Sequence, residues 1–232
     1  MLVLGIDSSA ITASCAVCEI GENEKVIAGA KINNKITHSQ TLVPIIEDML
    51  KNADIKLSDI DLFAAANGPG SFTGLRIGVS AIKGMAFALG KKTVGVSTLE
   101  ALAHNLIQTD CIACAVMDAR CNQFYNALFR IKDGKTERLC DDRALFTEEL
   151  YDELQKFSEK IIFVGDGAEL AMKKIKLENT ALAVPSQRFQ SAESVCFAAA
   201  SYEPIDAVAL MPSYLRLPQA ERERLEKTEK RG

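Results

Sequence analysis

Between Phe72 and Leu89 the chain carries only two charges, Arg76 and Lys83, seven residues apart on one narrow helical stripe. The rest of that stretch is apolar or small all the way round, the pattern of a helix covered on several sides. It is preceded by Gly68-Pro69-Gly70 and by the apolar run 62–66, so a buried strand, a tight turn and a helix capped by Ser71 are predicted here. Gly70, Gly74 and Gly78 recur every four residues. An interior glycine costs a helix about 0.5–1 kcal/mol relative to alanine, so such a row implies close backbone approach. A glycine-rich turn at a helix N-terminus can also cradle phosphate. The P-loop spacing fails, because Leu75 and Arg76 follow Gly74, and the dinucleotide pattern fails at Thr73. Packing against a second helix, belonging to this chain or to another protein, is the preferred reading.

The remaining segments organise around this unit. Strands are predicted over 2–7, 12–20, 25–31 and 93–97, with a helix opening near Ser39 or Thr41 because Pro44 is tolerated only near a first turn. Leu42, Ile45, Ile46 and Met49 share one face of that helix. The second half repeats the order: a hairpin with Asp118-Ala119-Arg120 at its corner, a strand over 136–140, a helix from Thr147, a strand over 161–164 with Gly165-Asp166-Gly167, a strand over 182–184 and a closing helix from Ser191. The expected fold class is α/β, two duplicated βββαβαβ domains, with boundaries at 1–103 and 104–217 and a charged, solvated tail over 218–232. The proline-marked segment 204–216 is expected to pack.

The chain has 232 residues, 48% hydrophobic and 25% charged, with a net charge of −4. That suffices for a large core but offers no basic stripe suited to holding nucleic acid unaided. No signal peptide and no membrane span is expected, so the location is read as cytoplasmic. Of seven cysteines, Cys15/Cys18 and Cys111/Cys114 form close pairs. They lie inside strand-like runs, so buried thiols are favoured over a zinc site.

Gly68-Pro69-Gly70-Ser71-Phe72-Thr73-Gly74-Leu75-Arg76-Ile77-Gly78 resembles the signature of the TsaB (YeaZ) family. Gly5-Ile6-Asp7-Ser8-Ser9, His38-Ser39-Gln40, Asp118-Ala119-Arg120, 165–168 and 212–216 are similar to further stretches of that family. The resemblance implies an RNase H-like, actin/Hsp70-type ATPase fold. It also implies a role in forming N6-threonylcarbamoyladenosine beside the tRNA anticodon, with catalysis in a paralogue, TsaD, that holds a metal through paired histidines. Thr98 and Leu102 stand where that pair is expected, and neither replaces an imidazole. Catalytic and metal residues are therefore expected to be none.

Asp7 is the one candidate for a weak phosphate or Mg²⁺ contact. No cofactor is expected to bind tightly to the chain alone, with ATP or ADP at a subunit junction left open. The implied partners are a TsaD-type subunit, a TsaE-type ATPase within the complex, a second copy of the chain in isolation, and tRNA only through the complex. The interface expected for them comprises Leu42, Ile45, Ile46 and Met49 of one helix, with Phe72, Gly74, Leu75, Arg76, Gly78, Val79 and Ile82 of the other. The rival readings are a standalone ATPase or small-molecule kinase of the same fold and, third, a peptidase, for which no nucleophile–base pair is evident.

Overall fold

A computed structural model describes residues 1–33 and 37–216. The tail expected over 218–232 lies outside the described residues. The first unit runs β1 (Leu2–Asp7), β2 (Thr12–Glu19), β3 (Lys25–Asn33), α1 (His38–Asn52), β4 (Leu62–Gly68), α2 (Phe72–Ala88) and β5 (Lys92–Ser97). α3 (Thr98–His104) leads into the second: β6 (Cys111–Asp118), β7 (Gln123–Lys132), β8 (Lys135–Arg138), β9 (Arg143–Phe146), α4 (Thr147–Leu154), β10 (Ile161–Val164), α5 (Ala168–Lys174) and β11 (Thr180–Leu182). The short α6 (Pro185–Arg188), α7 (Ala192–Ala198) and β12 (Ile205–Asp206) follow.

Strand order demonstrates the duplication. The first sheet reads β12-β5-β4-β1-β2-β3 and the second β11-β10-β6-β7-β8. Apart from β12, each has two parallel additions beside an antiparallel three-strand meander. The second unit adds β9, which pairs with β7 and was not foreseen in the sequence. Residues 192–206, which the division at 103/104 assigns to the second unit, return to the first. There α7 packs on β1 and β2, and β12 pairs antiparallel with β5.

Each sheet is covered on both faces, which is why its central strands read as continuous apolar runs. In the first, α1 and α2 bury Leu42, Ile46, Val79 and Ile82 against Leu4, Ile6 and Phe63. On the opposite face α7 places Ala192, Val195 and Cys196 against Val3, Ala16 and Val94. In the second, α4 and α5 cover one face, and α3 with the turn after it covers the other through Leu99, Leu102, Ala103 and Leu106. Burying each large apolar side chain stabilises by about 1.5–3 kcal/mol. Cys15, Cys18, Cys111 and Cys114 are buried within these strands, and burial pushes the Cys15 thiol up to about 12 and Cys111 to about 11.

α1 begins at His38, one residue before the predicted start, and carries Pro44 in its second turn. Pro44 is exposed there, so the carbonyl it leaves without an intrahelical N–H partner can reach water. Among the described residues no helix is long and apolar enough to cross a membrane.

Candidate functional site

The C-terminal ends of β1 and β6 occupy equivalent places in the two sheets, and each ends in an aspartate that folds its own turn. Asp7 Oδ1 accepts from the Ser9 N–H at 2.8 Å and from the Ser9 hydroxyl at 2.6 Å. Asp118 Oδ1 accepts from the Arg120 N–H at 2.8 Å. Asp7 is buried and its Oδ2 has no hydrogen-bond partner among the described residues. Burial raises its pKa, against the pull of the two Ser9 hydrogen bonds and the charges of Lys31 and His38. The His38 ring lies 2.6 Å, at Nε2, from the Ala10 carbonyl oxygen and steadies the same turn.

α2 sits directly on the first of these turns. The Ser8 hydroxyl donates to the Gly74 carbonyl at 2.9 Å, and the Ser71 N–H donates to the Ser9 carbonyl at 2.7 Å. A Cβ on Gly70 would lie 2.5 Å from the Ser9 carbonyl oxygen, and one on Gly74 or Gly78 would overlap Ser8. The row of Gly70, Gly74 and Gly78 therefore seats the β1 turn and does not form a groove for a second helix. Ser71 also caps the Gly74 N–H at 3.3 Å, so two of the amides at this helix start, those of Ser71 and Gly74, are engaged within the chain.

Between the units lies a cleft of about 610 Å³, with Ser9 and Phe72 on one side and Asp118, Arg120, Tyr125 and Asp166 on the other. The turn beside Asp118 contains no glycine, yet Arg120, Cys121 and Asn122 all have positive φ, at 61°, 50° and 60°. The Gln123 N–H closes it onto the Arg120 carbonyl at 3.0 Å. Gly167 brings the Asp166 backbone against β6, where an added Cβ would stand 2.9 Å from the Met117 carbonyl carbon. Asp166 is exposed at the lip, but its carboxyl is pushed up to about 6. Desolvation by the packed wall is the largest cause; Gln190 offsets part of it, and repulsion from Asp118 and Asp7 adds to it. The sequence marks Gly165-Asp166-Gly167 as a turn and as part of a family-like stretch, without assigning Asp166 to a site. The matching place of the two loops in the repeat is the signal that pairs Asp166 with this cleft.

The interface set is redistributed by the structure. Leu42, Ile46, Met49, Gly74, Leu75, Gly78, Val79 and Ile82 are buried inside the chain itself. The all-round apolar character of α2 arises because sheet, α1 and the C-terminal segment each cover part of it. Ile45 is half-buried and borders a groove between α1 and β3. Phe72 is half-buried, its ring stacked on Tyr214 at 4.2 Å and 11°. Arg76 is exposed but donates from Nε to the Tyr214 hydroxyl at 2.9 Å. Lys83 donates to the Val208 carbonyl at 2.9 Å. Both charges of the α2 stripe thus hold the segment 207–216, which also buries Ala207 and Leu210 and ends with Arg216 donating to the Ala119 carbonyl at 3.0 Å. What remains open on α2 is Thr73, Ser80, Gly84, Phe87 and Ala88, with Phe87 69% exposed. On neighbouring α1, Val43 is 55% exposed.

Thr98 and Leu102 are buried on α3, Leu102 within the second unit's core. His104 is half-buried at the end of that helix, and burial lowers its pKa. Among the described residues no three His, Cys, Asp or Glu side chains are grouped as metal ligands.

Comparison with known proteins agrees with this geometry. Residues 30–228 match the family model described as TsaD, tRNA N6-adenosine threonylcarbamoyltransferase. The tRNA threonylcarbamoyladenosine biosynthesis protein TsaB of Bacillus subtilis is 30% identical over 224 residues, covering 95% of this chain and 96% of the relative. TsaB of Escherichia coli is 30% identical over 170 residues, covering 72% of each. The solved structure titled YeaZ from Pseudomonas aeruginosa superposes with a TM-score of 0.78 at 25% identity, over 92% of this chain and 99% of that one. Signature, duplicated sheets and full-length similarity converge, and the chain belongs to the TsaB (YeaZ) family.

Proposed function

We propose that this protein is a non-catalytic subunit in tRNA threonylcarbamoyladenosine biosynthesis, which docks a TsaD-type catalytic paralogue and supports its activity. The relatives named TsaB support the pathway. The observation that carries the docking role is the uncovered face of α2, where the small residues Thr73, Ser80 and Gly84 are exposed together with Phe87, while Val43 is exposed on neighbouring α1. Small residues allow a second helix to approach closely, and exposed apolar side chains at the margin supply the burial that drives association. Leu42, Ile46, Leu75, Val79 and Ile82 lie one layer beneath, shaping this face from within. A second copy of the chain would use the same face, so homodimer and heterodimer compete. The TsaE-type ATPase, a nucleotide at the subunit junction and tRNA join only in the assembled complex.

The test is Ser80→Arg or Gly84→Arg, both at exposed positions, followed by circular dichroism, sedimentation and capture of the paralogue. Folded variants that neither self-associate nor capture it are expected. A folded variant that retains both would place the docking surface elsewhere.

A further inference from the structure

Five side chains meet where the chain crosses between the two units. Ser97, the cap of α3, accepts from the Glu100 N–H at 3.2 Å and donates to Asp142 Oδ2 at 2.6 Å. Arg138 of β8 forks between Glu100 Oε2 and Asp142 Oδ1, each at 2.7 Å, with its guanidinium 4.7 Å from the centre of the Phe129 ring. Tyr202 donates its hydroxyl to the same Glu100 oxygen at 2.7 Å and accepts from the Ser97 N–H at 3.4 Å. The cluster thereby ties the end of the first sheet, the connecting helix, the second sheet and the segment that returns from α7.

The side chains of Arg138, Glu100 and Asp142 are 30%, 16% and 18% exposed, so their attraction is less screened than at an open surface. Burial works against the Arg138 charge, but the hydrogen bonds to Asp142 and Glu100 outweigh it and keep the guanidinium protonated. Burial, then Glu100, holds the Tyr202 hydroxyl well above its usual range, so it stays a donor. Beyond this cluster, Arg216 donates to the Ala119 carbonyl at the cleft, and the broad contact between the units is apolar. α3 and the turn after it meet the second sheet through Leu99, Leu102, Ala103 and Leu106, and apolar contact is non-directional and permits sliding. A forked guanidinium fixes angle as well as distance. None of the five residues lines the cleft.

We propose that this cluster is a hinge lock: it sets the angle between the two units and hence the width of the cleft, and freeing Arg138 lets the units swing. The test uses Cys121, the exposed thiol on the cleft hairpin. Spin labels on Cys121 and on a cysteine introduced at exposed Lys51, in a Cys140→Ser background, report the separation by double electron–electron resonance in the full chain diluted with unlabelled protein. The parent should give one narrow distribution. Arg138→Met keeps the apolar stem over Phe129 but removes the fork, and should broaden the distribution and shift its mean. Tyr202→Phe should move it less, in the same direction. Distributions that superimpose on the parent for folded Arg138→Met would overturn the lock. If that variant does not fold, Tyr202→Phe combined with Glu100→Gln decides in the same way.

Discussion

Ser8 and Gly74 are joined across the first unit by a hydroxyl-to-carbonyl hydrogen bond of 2.9 Å, and no side chain on Gly74 fits beneath the Ser8 backbone. The glycine row is consequently a stability feature. Gly74→Ala should destabilise the protein by roughly 1–3 kcal/mol, since the obstacle is backbone that cannot rotate away. Ile82→Glu places an unpaired charge at a fully buried position and should cost upward of about 3 kcal/mol. Urea denaturation checks both; midpoints equal to the parent's would show that α2 is not seated as described.

Turnover of ATP by the chain alone should be negligible. The Ser71 and Gly74 amides are engaged by Ser9 and Ser71, and the Asp118 turn lacks the glycines that bring amides close to phosphate. Phosphate release by rigorously pure protein, abolished by Asp7→Asn, would contradict this.

Asp166 supplies a pH signature. Its folded pKa of about 6 lies above the ordinary 3.8, so the folded state holds this proton more tightly than the unfolded state does. The resulting stabilisation is complete below about pH 3.8 and is lost as pH rises through about 6. Carbon-detected NMR titration of the Asp166 carboxyl should show the elevated value, and Asp118→Asn should lower it by removing a repelling charge. An ordinary carboxylate titration in the folded protein would refute the crowding of these groups.

The cleft hairpin is predicted to be improvable. Cys121 and Asn122 are the central residues of the turn closed by the Gln123 N–H on the Arg120 carbonyl, with positive φ at both, a geometry that favours asparagine and glycine. Cys121→Asn should raise stability by about 0.5–1 kcal/mol, visible as a higher thermal midpoint. An unchanged or lower midpoint would mean that the Cys121 side chain contributes more than its backbone costs.

How much the sequence discloses follows from what hydrophobic periodicity measures. It marks the strand that begins at Leu62, the Ser71 cap and the duplicated order, because burial and turn chemistry are local. It could not say what covers a buried face. Leu75, Val79 and Ile82 read equally well as core or as interface, and the sheet, α1 and residues 207–216 decide for core. β9 escaped notice because four half-buried or exposed residues, Arg143–Phe146, carry no clear alternation. Asp166 and Tyr214 became legible only when the fold brought them beside Asp118 and Phe72.

β3 ends the first sheet, with no strand on its outer side among the described residues. Such a strand is a template on which a foreign chain can crystallise its own backbone, and Val26 and Ile27, 46% and 37% exposed, make it attractive. Lys25, Lys31 and the irregular register opposite Val17/Cys18 act against that templating. Lys25 and Lys31 thus guard an open edge, and Lys31 does so while its charge also acts on Asp7 inside the first unit.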